Sequence, residues 1–279
     1  MGKRWKWLLL IFSASVISSI VFGRYHREGP RYNGRTLLEW TKLSQTPEAR
    51  DAIRAMGTNA LPDLVKWIAD EPAAWRKTPY RLPKKVPKWM VDESSDKRAE
   101  LALKGFEILG TNASPALPGL LRLIGNTNAP MARSHAMEAL THLGNCAIPT
   151  LKRLLHESRN TRETGLLVDI RTMGTNAIPL VPAVIEHLGS TNLLHAGIAA
   201  GTLGILRLEP DLAVPALTAS LTNAGVVRER AMISLSQFGS HARPALPALT
   251  NLLTDPHVSF RRLAAEVIEA INGKDQPIP

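Results

Sequence analysis

The sequence predicts an all-α protein built as an α-solenoid of stacked helix pairs. Three observations indicate this fold class. One short pattern recurs six times, apolar residues follow helical spacing on both sides of it, and Leu, Ala, Ile and Val dominate over the 5% of aromatic residues. Helix–turn–helix units recurring every ~30–45 residues are typical of solenoid proteins. The 279 residues are enough to bury a core of this kind.

The N-terminal residues 1–28 are predicted to be a signal anchor or a signal peptide. Lys3, Arg4 and Lys6 precede a stretch without charged residues, 7–23, which is the order of an export signal. This stretch is close to the lower limit of about 17–25 residues for a spanning helix, so its length leaves both alternatives open. We favour an anchor that places the solenoid outside the cytoplasm at the cytoplasmic membrane. Cleavage would instead give a secreted or periplasmic protein.

Residues 29–45 are expected to form a lead-in helix, and residues 46–279 the solenoid. The recurring pattern within the solenoid is Ala-x-Pro-x-[Leu/Val], with successive prolines 53, 34, 30, 36 and 29 residues apart. Glycine precedes the alanine by three positions in five copies. The six Ala/Pro pairs are Ala60/Pro62, Ala113/Pro115, Ala147/Pro149, Ala177/Pro179, Ala213/Pro215 and Ala242/Pro244. A terminal half copy follows at 260–271.

The third copy shows why this pattern predicts a helix pair. Gly144 can adopt the left-handed conformation that ends a helix, and Pro149 suits the first position of the next one. The apolar residues on each side recur at helical spacing. The first helix presents Ala132, Ala136, Ala139, Leu140 and Leu143, and the second presents Ile148, Leu151, Leu154 and Leu155. In the fifth copy, Gly204 is followed by three extra residues before Pro210, so a different turn is expected there.

The recurring Leu-Gly-x-x-Ala-x-Pro-x-Leu residues resemble bacterial HEAT repeats, including those grouped with phycobilisome-lyase-like repeats, over roughly residues 46–271. The segment from Tyr32 to Trp40, Tyr-Asn-Gly-Arg-Thr-Leu-Leu-Glu-Trp, resembles the lead-in of exported HEAT-repeat proteins of Planctomycetes and Verrucomicrobia. The resemblance implies a right-handed superhelix that binds proteins, and it carries over no catalytic residue.

An insertion of about twenty residues separates the first two copies and spans residues 71–96. Its four prolines prevent a regular helix, so an ordered loop at one edge of the solenoid is expected. Basic residues interleaved with aromatic ones could hold an anionic lipid headgroup, an acidic peptide or single-stranded nucleic acid. Alternatively, the aromatic residues only pin the loop to the solenoid. The candidate binding residues are Trp75, Arg76, Lys77, Tyr80, Arg81, Lys84, Lys85, Lys88 and Trp89.

Two windows contain the whole net charge of +10. Residues 1–35 contain seven Lys or Arg and one acidic residue, and residues 71–98 contain eight and four. All other residues together contain nineteen basic and nineteen acidic side chains. A nucleic-acid-binding face needs an excess of positive charge, so nucleic acid is not an expected partner of the repeats.

The sequence presents no glycine-rich phosphate loop, no Gly-x-Ser-x-Gly motif and no histidines at metal-ligand spacing. His156-Glu157 is a single His-Glu pair, whereas HEAT-repeat hydroxylases use several. We therefore predict no catalytic residue, metal or cofactor. Asp169 and Arg171 are expected to be solvated or paired between helices. Cys146, the one cysteine, excludes an intrachain disulfide and is predicted to be a small buried residue.

These observations favour a non-enzymatic scaffold that binds one or more proteins and is tethered to the membrane by its N-terminal segment. The alternative is an enzyme or nucleic-acid-binding protein of HEAT fold, lyase-like or DNA-glycosylase-like. The neutral repeats and the export segment argue against the DNA-binding alternative. Salt-sensitive binding of DNA or RNA by residues 99–279 would favour it.

Overall fold

A computed structural model describes residues 29–70, 95–159, 164–223 and 225–273. The predicted export segment and almost all of the 71–96 insertion lie outside the described residues. The chain divides into two compact units, Met1–His135 and Ala136–Pro279. Each unit is described by itself.

The first unit begins with a small β-hairpin and continues with helices. Its elements are β1 (Arg31–Tyr32), β2 (Arg35–Thr36), α1 (Leu37–Lys42), α2 (Pro47–Met56), α3 (Leu61–Ile68), α4 (Ser95–Leu109), α5 (Leu117–Ile124) and the start of α6 (Pro130–Thr141). Short 3₁₀ segments connect the helices of a pair at Gly57–Ala60 and Gly110–Ala116. Copies one and two are therefore the predicted pairs α2/α3 and α4/α5, in which α4 packs against α2 and α3.

The second unit contains the rest of the third copy, from within α6 onward, then three further copies and a terminal helix. Its helices are α7 (Ile148–Ser158), α8 (Gly165–Asp169), α9 (Val181–Glu186), α10 (Leu193–Leu206), α11 (Pro210–Ala219), α12 (Val226–Gln237), α13 (Leu246–Asn251) and α14 (Val258–Gly273). The 3₁₀ segments are Gly144–Ala147, Ile170–Leu180, His187–Gly189, Ser220–Thr222, Gly239–Ala245 and Leu252–Thr254. The first helices of successive copies pack together, α10 on α12 and α12 on α14. Helix α14 is the predicted terminal half copy.

The described residues are thus predominantly helical, and the all-α HEAT-like fold class is supported. The stripes predicted for the third copy are all buried, with at most 9% of the surface of any of these residues exposed. The right-handed superhelix stays a prediction. No helix in the part of the chain that the structure describes is long and apolar enough to cross a membrane.

The lead-in segment contains a hairpin as well as a helix. Antiparallel β1 and β2 are joined by Asn33 and Gly34, which have φ values of 47° and 79°. A two-residue Asn-Gly loop of this kind matches the twist of a β-hairpin. The helix predicted for 29–45 is confined to Leu37–Lys42 among these residues.

Two local interactions stabilise the hairpin and the helix start between Tyr32 and Trp40. Thr36 and Glu39 form a capping box at the start of α1, with the Thr36 amide donating to Glu39 Oε2 at 2.7 Å. The indole Nε1–H of Trp40 donates to the Tyr32 carbonyl at 2.9 Å, and the Arg35 guanidinium lies 5.0 Å from the Trp40 ring centroid. The motif therefore fixes the hairpin to the helix that follows it.

The glycine turns are confirmed, with a backbone conformation different from the predicted one. Gly57 and Gly174 have φ 54° with ψ −132° and −134°. This is the mirror-β region, which side chains with a Cβ avoid, rather than the left-handed helical region. The proline prediction is off by one residue, because Pro149 occupies the second position of α7 after Ile148.

The fifth copy uses a different turn, as expected. Gly204 does not end its helix, since α10 continues to Leu206 and Arg207 closes it with φ 52° and ψ 32°. A residue with a Cβ cannot adopt the mirror-β conformation of the glycines, so Arg207 takes the left-handed helical one. Glu209 also has positive φ, 48°, and Pro210 begins α11.

The prediction for Cys146 is wrong. Its side chain is exposed, and the thiol donates to the Leu143 carbonyl at 3.3 Å. Cys146 occupies the turn position that asparagine holds in the Gly-Thr-Asn-Ala copies, where Asn59 and Asn112 are exposed too. The burial pattern of the turn, rather than the apolar character of cysteine, decides its environment.

Candidate functional site

The binding residues predicted in the insertion lie outside the described residues. This applies to Trp75, Arg76, Lys77, Tyr80, Arg81, Lys84, Lys85, Lys88 and Trp89. The described residues nevertheless contain two concave features, one in each unit.

A cavity of about 830 Å³ lies in the first unit, between the hairpin and the first copy. Three basic and three acidic side chains line it, namely Arg31, Lys66, Arg98, Glu39, Asp63 and Asp70. Arg98 and Asp70 are 3.8 Å apart and both largely exposed. Partial burial raises the pKa of Asp63. Because the lining charges balance, the cavity favours neither an anion nor a cation.

A second concavity of about 260 Å³ lies in the second unit, across the first helices of copies four, five and six. We call it the first-helix groove. Its lining includes Val168, Arg171, Leu194, Gly201, Ile205 and Arg230. Helix α10 supplies the floor, and the segments containing Arg171 and Arg230 supply the two sides.

Two glycines of α10 form the floor of the first-helix groove. A Cβ on Gly201 would lie 3.6 Å from Arg171 Nη2, and one on Gly197 would lie 3.7 Å from Arg230 Cγ. Both are ordinary van der Waals distances, so packing inside the molecule does not require glycine at either position. Glycine inside a helix is about 1 kcal/mol less favourable than alanine. Gly201, which is partly exposed, lowers the floor at the expense of helix stability, whereas Gly197 is buried beneath Val226 and Arg230.

Gly204, three residues further along α10, has a different role. A Cβ there would lie 2.7 Å from Ser234 Cβ, and the side chain of Gln237 also occupies that space. Its glycine allows α10 and α12 to approach closely. It therefore serves packing between copies and does not shape the groove.

Arg171 is held in place by the neighbouring copy. Its Nε donates to Thr202 Oγ1 at 3.0 Å and its Nη2 to the Ile198 carbonyl at 3.3 Å. The fully buried Thr202 hydroxyl lies 2.8 Å from the Leu167 carbonyl, to which it can donate. Ser234 repeats this link one copy later, donating to the Ala200 carbonyl at 2.8 Å. Hydroxyls at equivalent positions thus join consecutive first helices.

The positive charges of Arg171 and Arg230 lie on the two sides of the groove without compensation. Burial lowers the pKa of the Arg171 guanidinium, and the charge of Arg230 lowers it further. Within the described ranges, neither guanidinium forms a salt bridge with a carboxylate. A carboxylate entering the groove would find guanidinium donors that match its geometry.

Aliphatic side chains surround this charge and remain partly in water. Leu194 is 61% exposed, Ile205 48% and Val168 42%. Single exposed aliphatic residues are ordinary, but a group of them around a groove is typical of an interaction surface. The groove therefore combines apolar contact area with an anion-binding centre.

A titratable carboxyl, Asp169, lies outside the lining of the groove and close to Glu138 of the preceding copy. Asp169 occupies the position at which the next two copies have Thr202 and Ser234. Burial raises the pKa of Asp169 to about 7, and the nearby Glu138 carboxylate contributes to this rise. Asp169 is half-buried rather than solvated, and Arg171 is joined to the next helix by its hydrogen bonds to Thr202 and Ile198, which agrees with the expected pairing between helices.

A buried histidine pair lies near the end of copy four. The rings of His187 and His195 are 7° from parallel, with 2.7 Å between Nδ1 of the first and Nε2 of the second. Burial lowers the pKa of His187 to about 4, and His195 adds to this shift. The distance is that of a hydrogen bond, in which one ring nitrogen donates and the other accepts.

No group of three or more His, Cys, Asp or Glu side chains among the described residues could hold a metal ion. The Nδ1 atom of His156 lies 4.0 Å from the exposed Glu186 carboxylate.

One family model of known proteins matches a segment of the second unit. Residues 227–255 match a family model described as PBS lyase HEAT-like repeat. This match supports a HEAT-repeat protein. It covers most of α12 and all of α13, which form the sixth copy. No curated protein matches the chain.

The sequence interpretation did not identify the first-helix groove. Arg171 was visible as a charged helical residue, but its hydrogen-bond partners lie 27 and 31 residues away in the next copy. The sequence feature that could have indicated the groove is the pair Gly197 and Gly201, two glycines inside an apolar helical segment that contains no turn.

Proposed function

We propose that the chain is a non-enzymatic repeat scaffold that binds a protein partner through the first-helix groove. The observation that carries this proposal is the meeting of two uncompensated guanidiniums, Arg171 and Arg230, with exposed aliphatic side chains on one surface. HEAT-like repeats support a scaffold as the general role. Charge complementarity then makes an acidic segment of the partner the expected contact.

The dimensions of the groove favour a polypeptide over a small molecule. Small-molecule sites usually enclose about 300–1,000 Å³ and bury most of the ligand. The first-helix groove is smaller, about 260 Å³, and its Leu194 and Ile205 side chains are roughly half exposed. A shallow surface of this kind gains contact area when a long ligand lies across several helices.

The N-terminal segment and the insertion complete the proposal. Basic residues followed by an uncharged stretch support a membrane tether at residues 1–28, with the solenoid outside the cytoplasm. The basic aromatic insertion, 71–96, is a second contact for an acidic peptide or an anionic lipid headgroup. Sequencing the mature N-terminus from a membrane fraction tests the tether, since a start at Met1 indicates an anchor and a start near Arg24 a cleaved peptide.

Quantitative co-purification from membranes tests the groove. The full chain is compared with Arg230→Gln and with Arg262→Gln, whose side chain is 82% exposed and pairs with Glu266. Partners of the wild-type chain should be depleted at least about tenfold by the first substitution, the loss expected for one charge-assisted contact, and retained by the second. Equal recovery with both variants would contradict the proposal. Deleting residues 71–96 separately tests the insertion, which loses its assigned role if no partner is lost.

A further inference from the structure

The first-helix groove also indicates the conformation of what binds there, an inference that rests on the proposed function. Its floor runs along α10 from Leu194 to Ile205. Eleven steps of a helix correspond to about 16 Å, or three turns. The groove is therefore long enough for three turns of a second helix lying along α10.

The surface of α10 that forms the floor has two glycine positions, which affects how closely a second helix can pack on it. Gly197 and Gly201 lie four residues apart on the same face of α10, and neither is required by a neighbouring side chain of the molecule. Helix axes pack about 8–10 Å apart depending on the side chains between them. Gly197 is buried beneath Val226 and Arg230, whereas Gly201 is partly exposed and allows a visiting helix to approach towards the lower end of this range at that point.

Backbone hydrogen bonding decides between a helix and an extended peptide. The amides and carbonyls of α10 are engaged within α10, and the Ser234 hydroxyl is engaged with Ala200. The groove thus offers no strand edge to an extended peptide, whose own amides would lose water without gaining partners. A helix satisfies its backbone internally and presents only side chains.

The two guanidiniums define the chemistry of that helix. Arg171 uses Nε and one Nη2 hydrogen within the protein, which leaves the Nη1 hydrogens for a ligand. Arg230 lies on the opposite side. A single Asp or Glu on the apolar face of the visiting helix would lie between them and accept from both.

We propose that the first-helix groove binds an amphipathic α-helix of a protein partner, about three turns long, with one carboxylate on its apolar face. Aliphatic residues of that helix pack against Leu194, Ile205 and Val226. Its carboxylate accepts hydrogen bonds from Arg171 and Arg230.

Selection from a displayed library of random 16-residue peptides tests this inference, with the purified full-length chain as target. Counter-selection against the Arg171→Gln/Arg230→Gln double variant removes peptides that bind elsewhere. The expected enriched peptides have apolar residues at i, i+3 or i+4, and i+7, with one acidic residue in the same stripe. Changing that residue to its amide should weaken binding at least tenfold to the wild-type chain and less than twofold to the double variant.

Three outcomes would overturn the helical occupant. Arginine-dependent peptides without helical periodicity, or ones that tolerate a central proline, would leave the groove as a protein-binding site but exclude a helix. No enrichment over the double variant would contradict both the occupant and the proposed function. Arginine-dependent binding of phosphatidylglycerol vesicles, with no peptide enriched, would assign the surface to a membrane instead.

Discussion

The guanidinium of Arg171 and the hydroxyl of Thr202 meet at 3.0 Å, joining a residue that faces the groove to a fully buried one in the next copy. Thr202 Oγ1 accepts from Arg171 and can donate its own proton to the Leu167 carbonyl, 2.8 Å away. One hydroxyl therefore links two copies and orients a binding side chain.

Replacing Thr202 by valine should destabilise the second unit by about 1–3 kcal/mol, because two partners lose a buried hydrogen bond. Thr202→Ser is the matched control, since it keeps the hydroxyl and removes only a methyl group. Urea unfolding followed by circular dichroism measures both variants. Equal stability of the valine and serine variants would show that the hydroxyl has no linking role.

The three glycines of α10 should respond to alanine in opposite directions. Gly201→Ala and Gly197→Ala should raise the free energy of unfolding by up to about 1 kcal/mol each, through helix propensity. Gly204→Ala should lower it by about 1–3 kcal/mol, because its Cβ would press into Ser234 and Gln237.

The same variants separate stability from binding. Gly201→Ala raises the floor beside Arg171, so partner affinity should fall although the protein is more stable. Thermal unfolding and partner binding are measured on the same preparations. If the Gly201→Ala protein binds its partner at least as well as the wild type, the glycine at position 201 does not shape the binding surface.

Breaking an ion pair in the sixth copy should be strongly destabilising. Arg228 Nη1 and Asp255 Oδ2 are 2.6 Å apart with side chains only 18% and 8% exposed, and Arg228 also donates to the Asn223 carbonyl. Asp255→Ala leaves this guanidinium without its anion and should cost about 3–5 kcal/mol.

Glu266→Ala is the control for the ion pair, because Glu266 and Arg262 form an exposed pair at 2.9 Å. Its loss should change stability by less than about 1 kcal/mol. Denaturant unfolding measures the stability of both variants. Similar losses for Asp255→Ala and Glu266→Ala would contradict the predicted importance of the Arg228–Asp255 ion pair.

Two buried groups should give stability opposing dependences on pH. The pKa of His187 is lowered from 6.5 to about 4, so its contribution is present above pH 6.5 and is lost as pH falls towards 4. The pKa of Asp169 is raised from 3.8 to about 7, so its contribution is present below pH 3.8 and is lost as pH rises through 7.

The Asp169→Asn substitution isolates the contribution of Asp169 to the pH dependence of stability. Relative to the wild type, this variant should gain roughly 1–4 kcal/mol of unfolding free energy between pH 5 and pH 8. Glu157→Gln, in an exposed pair with Arg153, should show no such gain. Conversely, His187→Gln should reduce the loss of unfolding free energy that the wild type shows below pH 6.5. Parallel pH curves for the wild type and Asp169→Asn would contradict the assigned titration.

Features encoded within one copy were predictable from sequence. Gly144 and Pro149 locate a turn and a helix start because their own backbones restrict the chain, and the apolar stripes around them report burial directly. The hairpin at Asn33 and Gly34 was equally local, but the helical pattern from Leu37 onward dominated the interpretation of the whole lead-in.

Features created between copies were not predictable. The Arg171–Thr202 contact joins residues 31 positions apart. Helix α10 is apolar around its whole circumference, so no periodicity distinguishes the groove side from the buried side. His187 and His195 meet because the chain turns between two helices, and single histidines separated by eight residues carry no such signal.

Photo-crosslinking in cells at two equally exposed positions shows whether a partner binds in the first-helix groove. Ile205, in the groove, and Leu212, on α11 outside it, are both 48% exposed. With a benzophenone side chain at either position, we predict a discrete protein adduct from 205 that disappears with Arg230→Gln, and none from 212. Equal adducts from both positions, or an adduct from 205 that persists without Arg230, would contradict the groove as the binding site.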